Sequence, residues 1–247
     1  MIILLSNDDG IDAPNLHVLG RALAEIAAVY VVAPIEEQSG TGHGITVHRA
    51  LYVQQCKLPF ATQAWAVGGL PADCVKLALE ELLPQKPNIV VSGINNGPNL
   101  GNDIIYSGTV SAAMEGFLYD LPAIAVSVAN RPGNVAYAAE FTRDRILSWH
   151  DKGFKPRTLF NINVPGDKKD NVHGWRYTSM GWLWYKNVFS QKNDEKGRTY
   201  YWMGGHPIKT AGNDNTDVET CAEGYISITP LHANLTDYRL LEELNRG

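Results

Sequence analysis

Ile2-Ile3-Leu4-Leu5-Ser6-Asn7-Asp8-Asp9-Gly10 opens the chain with an apolar run that passes directly into two acids and a glycine. Four consecutive apolar residues bounded by turn formers read as a strand covered on both faces, the pattern of a parallel sheet. In open α/β sheets the ligand crevice lies beyond the carboxyl ends of the strands, so Asp8 and Asp9 are expected at its floor. A turn at Gly10 can swing both carboxylates toward one point, and two like charges that close need a counterion. A hard divalent cation, Mg²⁺ or Mn²⁺, suits such oxygen donors. Asp-Asp-Gly in isolation is equally at home as a turn and helix cap.

The 247 residues are 45% hydrophobic and 19% charged, enough for a large α/β core. A net charge of −5 argues against a general nucleic-acid or membrane-surface binder, which would carry a basic patch. Cys56, Cys74 and Cys221 have no metal-binding or disulfide spacing and are expected to be reduced thiols. The first apolar run lacks a basic start and is too short for a signal peptide, and no stretch approaches the roughly 18 apolar residues of a membrane span. The expected compartment is the cytoplasm.

Outward from the first strand, Leu16, Leu19, Leu23 and Ile26 recur at helical spacing and predict a crossover helix over 15–28. A strand over 29–33 then completes a right-handed β-α-β unit. Two further strands, 45–54 and 64–67, are expected to form an antiparallel edge, and Pro71 starts a helix running to Leu82 with Asp73 in its first turn. Parallel strands are expected at 88–92, 121–128 and 158–164, with a helix over 135–150. The fold class is therefore α/β, a Rossmann-like mostly parallel sheet with helices on both faces.

Three more polar stretches fall just beyond predicted strand ends. The loop 34–44 contains Ser39, which can reach the acids; His43, between two glycines, reads as a mobile surface histidine. The loop 93–103 is rich in Asn and Gly, and Asn95 offers an amide oxygen as a hard-metal ligand, although turn chemistry alone also explains such a segment. The helix beginning at Ser107-Gly108-Thr109 has no Glu or Gln three residues on to form a capping box, so its first N–H groups are expected to be open to an anion. Carboxylates, a hydroxyl loop, an Asn loop and an anion-ready helix start at one sheet edge together point to a metal and phosphate site.

Asn7-Asp8-Asp9-Gly10, Gln38-Ser39-Gly40, Pro71-Ala72-Asp73-Cys74-Val75, Ser92-Gly93-Ile94-Asn95, Tyr106-Ser107-Gly108-Thr109-Val110 and Gly224-Tyr225-Ile226-Ser227-Ile228-Thr229-Pro230-Leu231 occur in that order along nearly the whole chain. In this the chain resembles the survival protein SurE family. The resemblance implies a metal-dependent phosphatase of nucleoside monophosphates, a 5'-nucleotidase with some action on 3'-nucleotides and short polyphosphate. It implies Asp8, Asp9, Ser39 and Asn95 as ligands of one Mg²⁺ or Mn²⁺ per subunit. Asp8, Asp9, Asn96 and Ser107 would act in catalysis, with Asn7, Ser39, Gly40, Asn96, Ser107, Gly108 and Thr109 near the phosphate. It further implies a homodimer or dimer of dimers with a hairpin and a C-terminal segment exchanged between subunits. Leu70, Asn15 and Asn234 depart from the family pattern, where Thr, Gly and Asp are expected. The competing reading is a nucleotide-binding module that does not hydrolyse its ligand. A dinucleotide oxidoreductase is disfavoured because no Gly-x-Gly-x-x-Gly follows the first strand.

Composition changes beyond Pro165. Trp175, Trp182, Trp184 and Trp202 fall close together with Tyr177, Tyr185, Tyr200 and Tyr201, and the polar run 191–197 predicts the tip of a long hairpin. Aromatics on a projecting hairpin suit subunit packing more than base stacking. The expected organisation is one unit, with its core at about 1–170 and 223–232, a hairpin at about 172–205, a short helix at 216–221 and a closing helix at about 235–245. His232 is expected to be structural.

Overall fold

The computed structural model describes residues 1–129, 134–166, 168–209 and 215–246. The strands in chain order are β1 (Ile2–Ser6), β2 (Ala28–Pro34), β3 (Val53–Cys56), β4 (Gln63–Val67), β5 (Ile89–Asn96), β6 (Ala123–Val128), β7 (Leu159–Val164) and β8 (Trp175–Tyr177). They are followed by β9 (Leu183–Lys186), β10 (Phe189–Asn193), β11 (Thr199–Met203), β12 (His206–Lys209) and β13 (Ile226–Leu231). The helices are α1 (Pro14–Ala24), α2 (Pro71–Leu77), α3 (Gly108–Leu118), α4 (Val135–Asp151), α5 (Asp217–Ala222) and α6 (Tyr238–Asn245).

One sheet runs β3-β4-β2-β1-β5-β6-β7-β13-β8. From β4 to β7 every neighbouring pair is parallel; β3 and β13 are the antiparallel additions. β1 lies at the centre because its side chains are apolar on both faces. Ile3 and Leu5 enter the core beneath α1 and α4, whereas Leu4 enters the opposite core with Val110 and Phe117 of α3 and Val75 of α2. The expected α/β sheet with helices on both faces is present.

Boundaries shift where local signals compete. The first helix ends at Ala24 and β2 starts at Ala28, so Ile26 lies in the turn between them rather than on the helix. The expected strand over 45–54 survives only as the start of β3. Thr46 N donates instead to Asp73 Oδ1 at 2.9 Å, which draws this segment onto the start of α2. The expected loop 93–103 is half strand: β5 continues to Asn96 through a register shift between Ser92 and Asn95, and a 3-10 turn occupies Gly101–Tyr106. A hairpin forms with β9 on β12 and β10 on β11, but over 183–209 rather than 172–205, because Trp175–Tyr177 joins the main sheet beside β13 as β8. α6 buries no residue within this chain.

Gly93 is where the shift in β5 is accommodated. Its φ is +136°, and an added Cβ would lie 2.4 Å from the Val126 carbonyl oxygen on β6. Gly93→Ala is expected to cost about 2–4 kcal/mol, from left-handed strain plus a backbone clash that no side chain can relieve. A urea melt read by circular dichroism checks this; a midpoint equal to that of the parent would contradict it.

Candidate active site

The chain leaves β1 toward β2 on one side, and after β4 it crosses to β5 on the other, which makes the β1–β5 boundary the switch point of the sheet. Asp8 and Asp9 follow β1 there, and Asn95 and Asn96 close β5 beside them. With Ser39, Gly40 and Ser107 they line one cleft of about 420 Å³, joined by Glu37, Gly97, Pro98, Asn99, Asp103 and Tyr106.

Asp8 is buried, and Thr109 Oγ1 donates to its Oδ1 at 2.5 Å. Burial, with Asp9 adding to it, pushes the Asp8 carboxyl up to about 6 in spite of the bonds from Thr109. Thr109 is itself buried, so it serves the carboxylate and is not aimed at the cleft. Gly108 lets α3 approach that closely: a Cβ on it would lie 2.7 Å from Asp8 Cβ. Asn7 departs from expectation too. Its Nδ2 donates to Gly10 O at 2.9 Å and its Oδ1 accepts from Gly10 N at 3.2 Å, closing the turn that delivers Asp8 and Asp9. At the start of α3, Val110 N donates to Ser107 Oγ at 3.0 Å, so this donor is used by the cap and is not open to an anion.

The donor set can be weighed against a cation directly. Among the described residues Asp8, Asp9, Glu37 and Asp103 line the cleft, and no Lys, Arg or His does. Asn95 Nδ2 donates to Gly97 O at 2.9 Å, leaving its amide oxygen as the atom available to a ligand. Ser39 Oγ donates to Glu37 Oε1 at 2.6 Å, which likewise leaves the oxygen lone pairs of the hydroxyl. Among the described residues no three His, Cys, Asp or Glu side chains form a metal site by themselves, so the neutral oxygens of Ser39 and Asn95 are needed to complete one. Two carboxylates, a hydroxyl and an amide oxygen fit a hard divalent cation.

The model of the survival protein SurE family matches residues 3–187. The chain belongs to this family. It is 49% identical over 249 residues to the 5'-nucleotidase SurE of Heliobacterium modesticaldum, covering 99% of this chain and 91% of the relative. It is 47% identical to the 5'-nucleotidase SurE of Pelotomaculum thermopropionicum, over 100% of this chain and 95% of that one. The crystal structure of the SurE protein from Aquifex aeolicus superposes with a TM-score of 0.85 at 35% identity, covering 100% of this chain and 99% of that chain.

Several residues that shape the cleft escaped the sequence reading. Asn99 N donates to Asn163 Oδ1 at 2.9 Å, while Asn161 and Asn163 both donate to Asn99 O at 2.8 and 3.0 Å, tying the loop after β5 to β7. Buried Asp217 accepts from Gly101 N at 2.9 Å and from Gly181 N at 2.7 Å, joining the same segment to the base of the hairpin. Tyr185 of β9 donates its hydroxyl to Asp103 on the cleft wall, and burial together with that acid pushes its phenol well up. His43 is not a free surface side chain: it bonds Glu115 Oε2 at 2.9 Å, and Lys76 Nζ donates to Glu115 Oε1 at 3.1 Å. Burial raises the Glu115 carboxyl, but the bonds from His43 and Lys76 outweigh it and hold the group below its ordinary value. His232 packs edge-on against Phe117 with ring centroids 5.5 Å apart, in keeping with a structural role. Asn234 accepts from Thr236 N at 2.9 Å and bonds the Tyr238 hydroxyl, so this departure from the family pattern organises the entry to α6.

The Asp8 carboxyl ionises near 6 in the folded chain against 3.8 ordinarily, which sets a pH dependence. Between those values the unfolded carboxyl is charged while the folded one keeps its proton. Folding stability of the cation-free protein is therefore expected to fall as pH rises from about 4 to about 6, by up to about 3 kcal/mol, and to level off above. Urea melts in EDTA across that range should show this slope in the parent and lose it in Asp8→Asn.

Proposed function

We propose that this chain is a divalent-metal-dependent phosphomonoesterase that hydrolyses nucleoside monophosphates to nucleoside and phosphate, a 5'-nucleotidase. The observation that carries the reading is the cleft at the switch point, lined among the described residues by four carboxylates and no basic side chain. Such a cleft repels a phosphate dianion unless a cation stands between them. The two relatives of this chain are named 5'-nucleotidases, which supports the same substrate class.

In this reading Asp8, Asp9, Ser39 and Asn95 hold one Mg²⁺ or Mn²⁺. When bound, the cation supplies charge neutralisation at the phosphoryl group and acidifies a coordinated water. Asp9 orients the attacking water and accepts its proton. Thr109 keeps the Asp8 carboxylate in place by donating to it. Asn96 donates its amide N–H to a phosphate oxygen, and the Ser107 hydroxyl, whose lone pair is committed to Val110 N, turns its proton toward another. Gly40 leaves the loop backbone uncovered beside the phosphate: nothing lies within 4 Å of the Cβ position it lacks.

The chain acts as one unit in this proposal, and the subunit pairs with a second copy through its hairpin and C-terminal arm. Trp184 and Trp202 of the hairpin are 57% and 63% exposed, and Leu235 and Leu244 of the arm 95% and 69%, which is more apolar surface than an isolated subunit hides. Among the described residues no helix is long and apolar enough to cross a membrane. The three free cysteines suit a reducing compartment, the cytoplasm.

Phosphate release from nucleoside monophosphates, short polyphosphate and p-nitrophenyl phosphate tests the proposal. Release is expected to vanish in EDTA, to return with Mg²⁺ or Mn²⁺, and to drop at least about a hundredfold in Asp9→Asn with an unchanged circular dichroism spectrum. Nucleotide binding by calorimetry without phosphate release under either metal would replace the enzyme with a sensing module.

A further inference from the structure

Ser39 and Gly40 lie on the connection over 35–52 between β2 and β3, which has no helix or strand of its own. A loop of that kind loses considerable entropy when it is fixed in one arrangement, so its attachments decide where Ser39 sits. Two backbone bonds flank Ser39: Gln38 N donates to Asp8 O at 2.7 Å, and Gly42 N to Tyr106 O at 3.0 Å. A side chain adds another attachment, His43 Nε2 to Glu115 Oε2 at 2.9 Å. It reaches past the cleft into the body of the protein, since Glu115 stands in the second half of α3 and is only 3% exposed.

Glu115 is poorly suited to a role in folding alone. An apolar side chain would fill that place between α3 and α2 without bringing a carboxylate out of water. Its two oxygens instead divide between Lys76 of α2 and His43 of the loop. The helix that carries it begins at Ser107 on the cleft wall and holds Asp8 through Thr109. One rigid rod therefore sets the position of Asp8 at its first turn and of the Ser39 loop two turns further on.

We propose that Glu115 is a positioning residue, which acts through His43 to hold the Ser39 loop against α3 so that the cation donors of the cleft are assembled before the cation arrives. This rests on the reading of Ser39 as a cation donor. The side chain of His43 is 35% exposed and that of Lys76 51%, so both can be truncated with little loss of core packing, whereas Glu115 cannot.

Calorimetric titration of the metal-free protein with Mn²⁺, together with its thermal midpoint, tests the inference without relying on turnover. His43→Ala is expected to weaken Mn²⁺ binding about tenfold, the size usual for groups that orient a ligand, with a midpoint close to that of the parent. His43→Asn, which keeps an N–H donor, should recover part of the affinity. His43→Ala should have little further effect in a Glu115→Gln background, because both substitutions act on the same contact. Lys76→Met, which removes the other partner of Glu115 and leaves the loop contact in place, should bind Mn²⁺ like the parent. Equal Mn²⁺ affinity of His43→Ala and the parent, alongside a clear loss in Ser39→Ala, would overturn the positioning role alone. No loss in Ser39→Ala would overturn it together with the donor assignment on which it rests.

Discussion

Two carboxylates on consecutive residues at the end of a strand buried on both faces are electrostatically expensive, and much of the surrounding structure limits that cost. Asp8 is deep enough for burial to hold its proton on to about 6. The contacts that lower the penalty come from α3, whose Thr109 gives the carboxylate a short hydrogen bond. That contact needs the helix to touch the strand end, and Gly108 is the residue that permits it. Among the described residues no basic side chain lines the cleft. Under the proposed function a bound cation supplies the positive charge, which lets an acidic protein take an anionic substrate.

The central strand, its acids and the order of the motifs were legible because each is a local signal. Apolar runs, Pro71 at a helix start and Gly between polar residues act within a few positions of themselves. The misreadings have a common physical origin in distance along the chain. Asn161 and Asn163 sit in a strand that reads as merely apolar with polar interruptions, and their partner Asn99 is 62 and 64 positions away. Asp217 reaches across 116 positions to Gly101, and Glu115 across 72 to His43. Hydrophobic periodicity reports which face is covered, and says nothing of which polar group waits there. Turn chemistry misled for a related reason: the Asn-Gly stretch after Ser92 looked like loop, but β6 offered it a ladder as far as Asn96.

The hairpin and the C-terminal arm behave differently from the core in the same chain. Among the described residues the hairpin strands pair only with each other, and the large side chains of hairpin and arm face outward. Yet the base of the hairpin is fixed to the cleft, through Tyr185 on Asp103 and through Leu183 N, which donates to Asn102 Oδ1 at 2.6 Å. The base of the hairpin and the wall of the cleft are thus joined at Asn102 and Asp103.

The amides of Asn99, Asn161 and Asn163, with the hydroxyl of Ser127 accepting from Asn99 Nδ2 at 2.8 Å, buttress the far wall of the cleft. Each of these groups is neutral at every pH a cell meets. Lysine or arginine in their place would brace the loop as firmly but would draw the acids into ion pairs and weaken their hold on a cation. By building the brace from amides, the protein separates rigidity from field: the loop is tied down without a charge being added to the cleft.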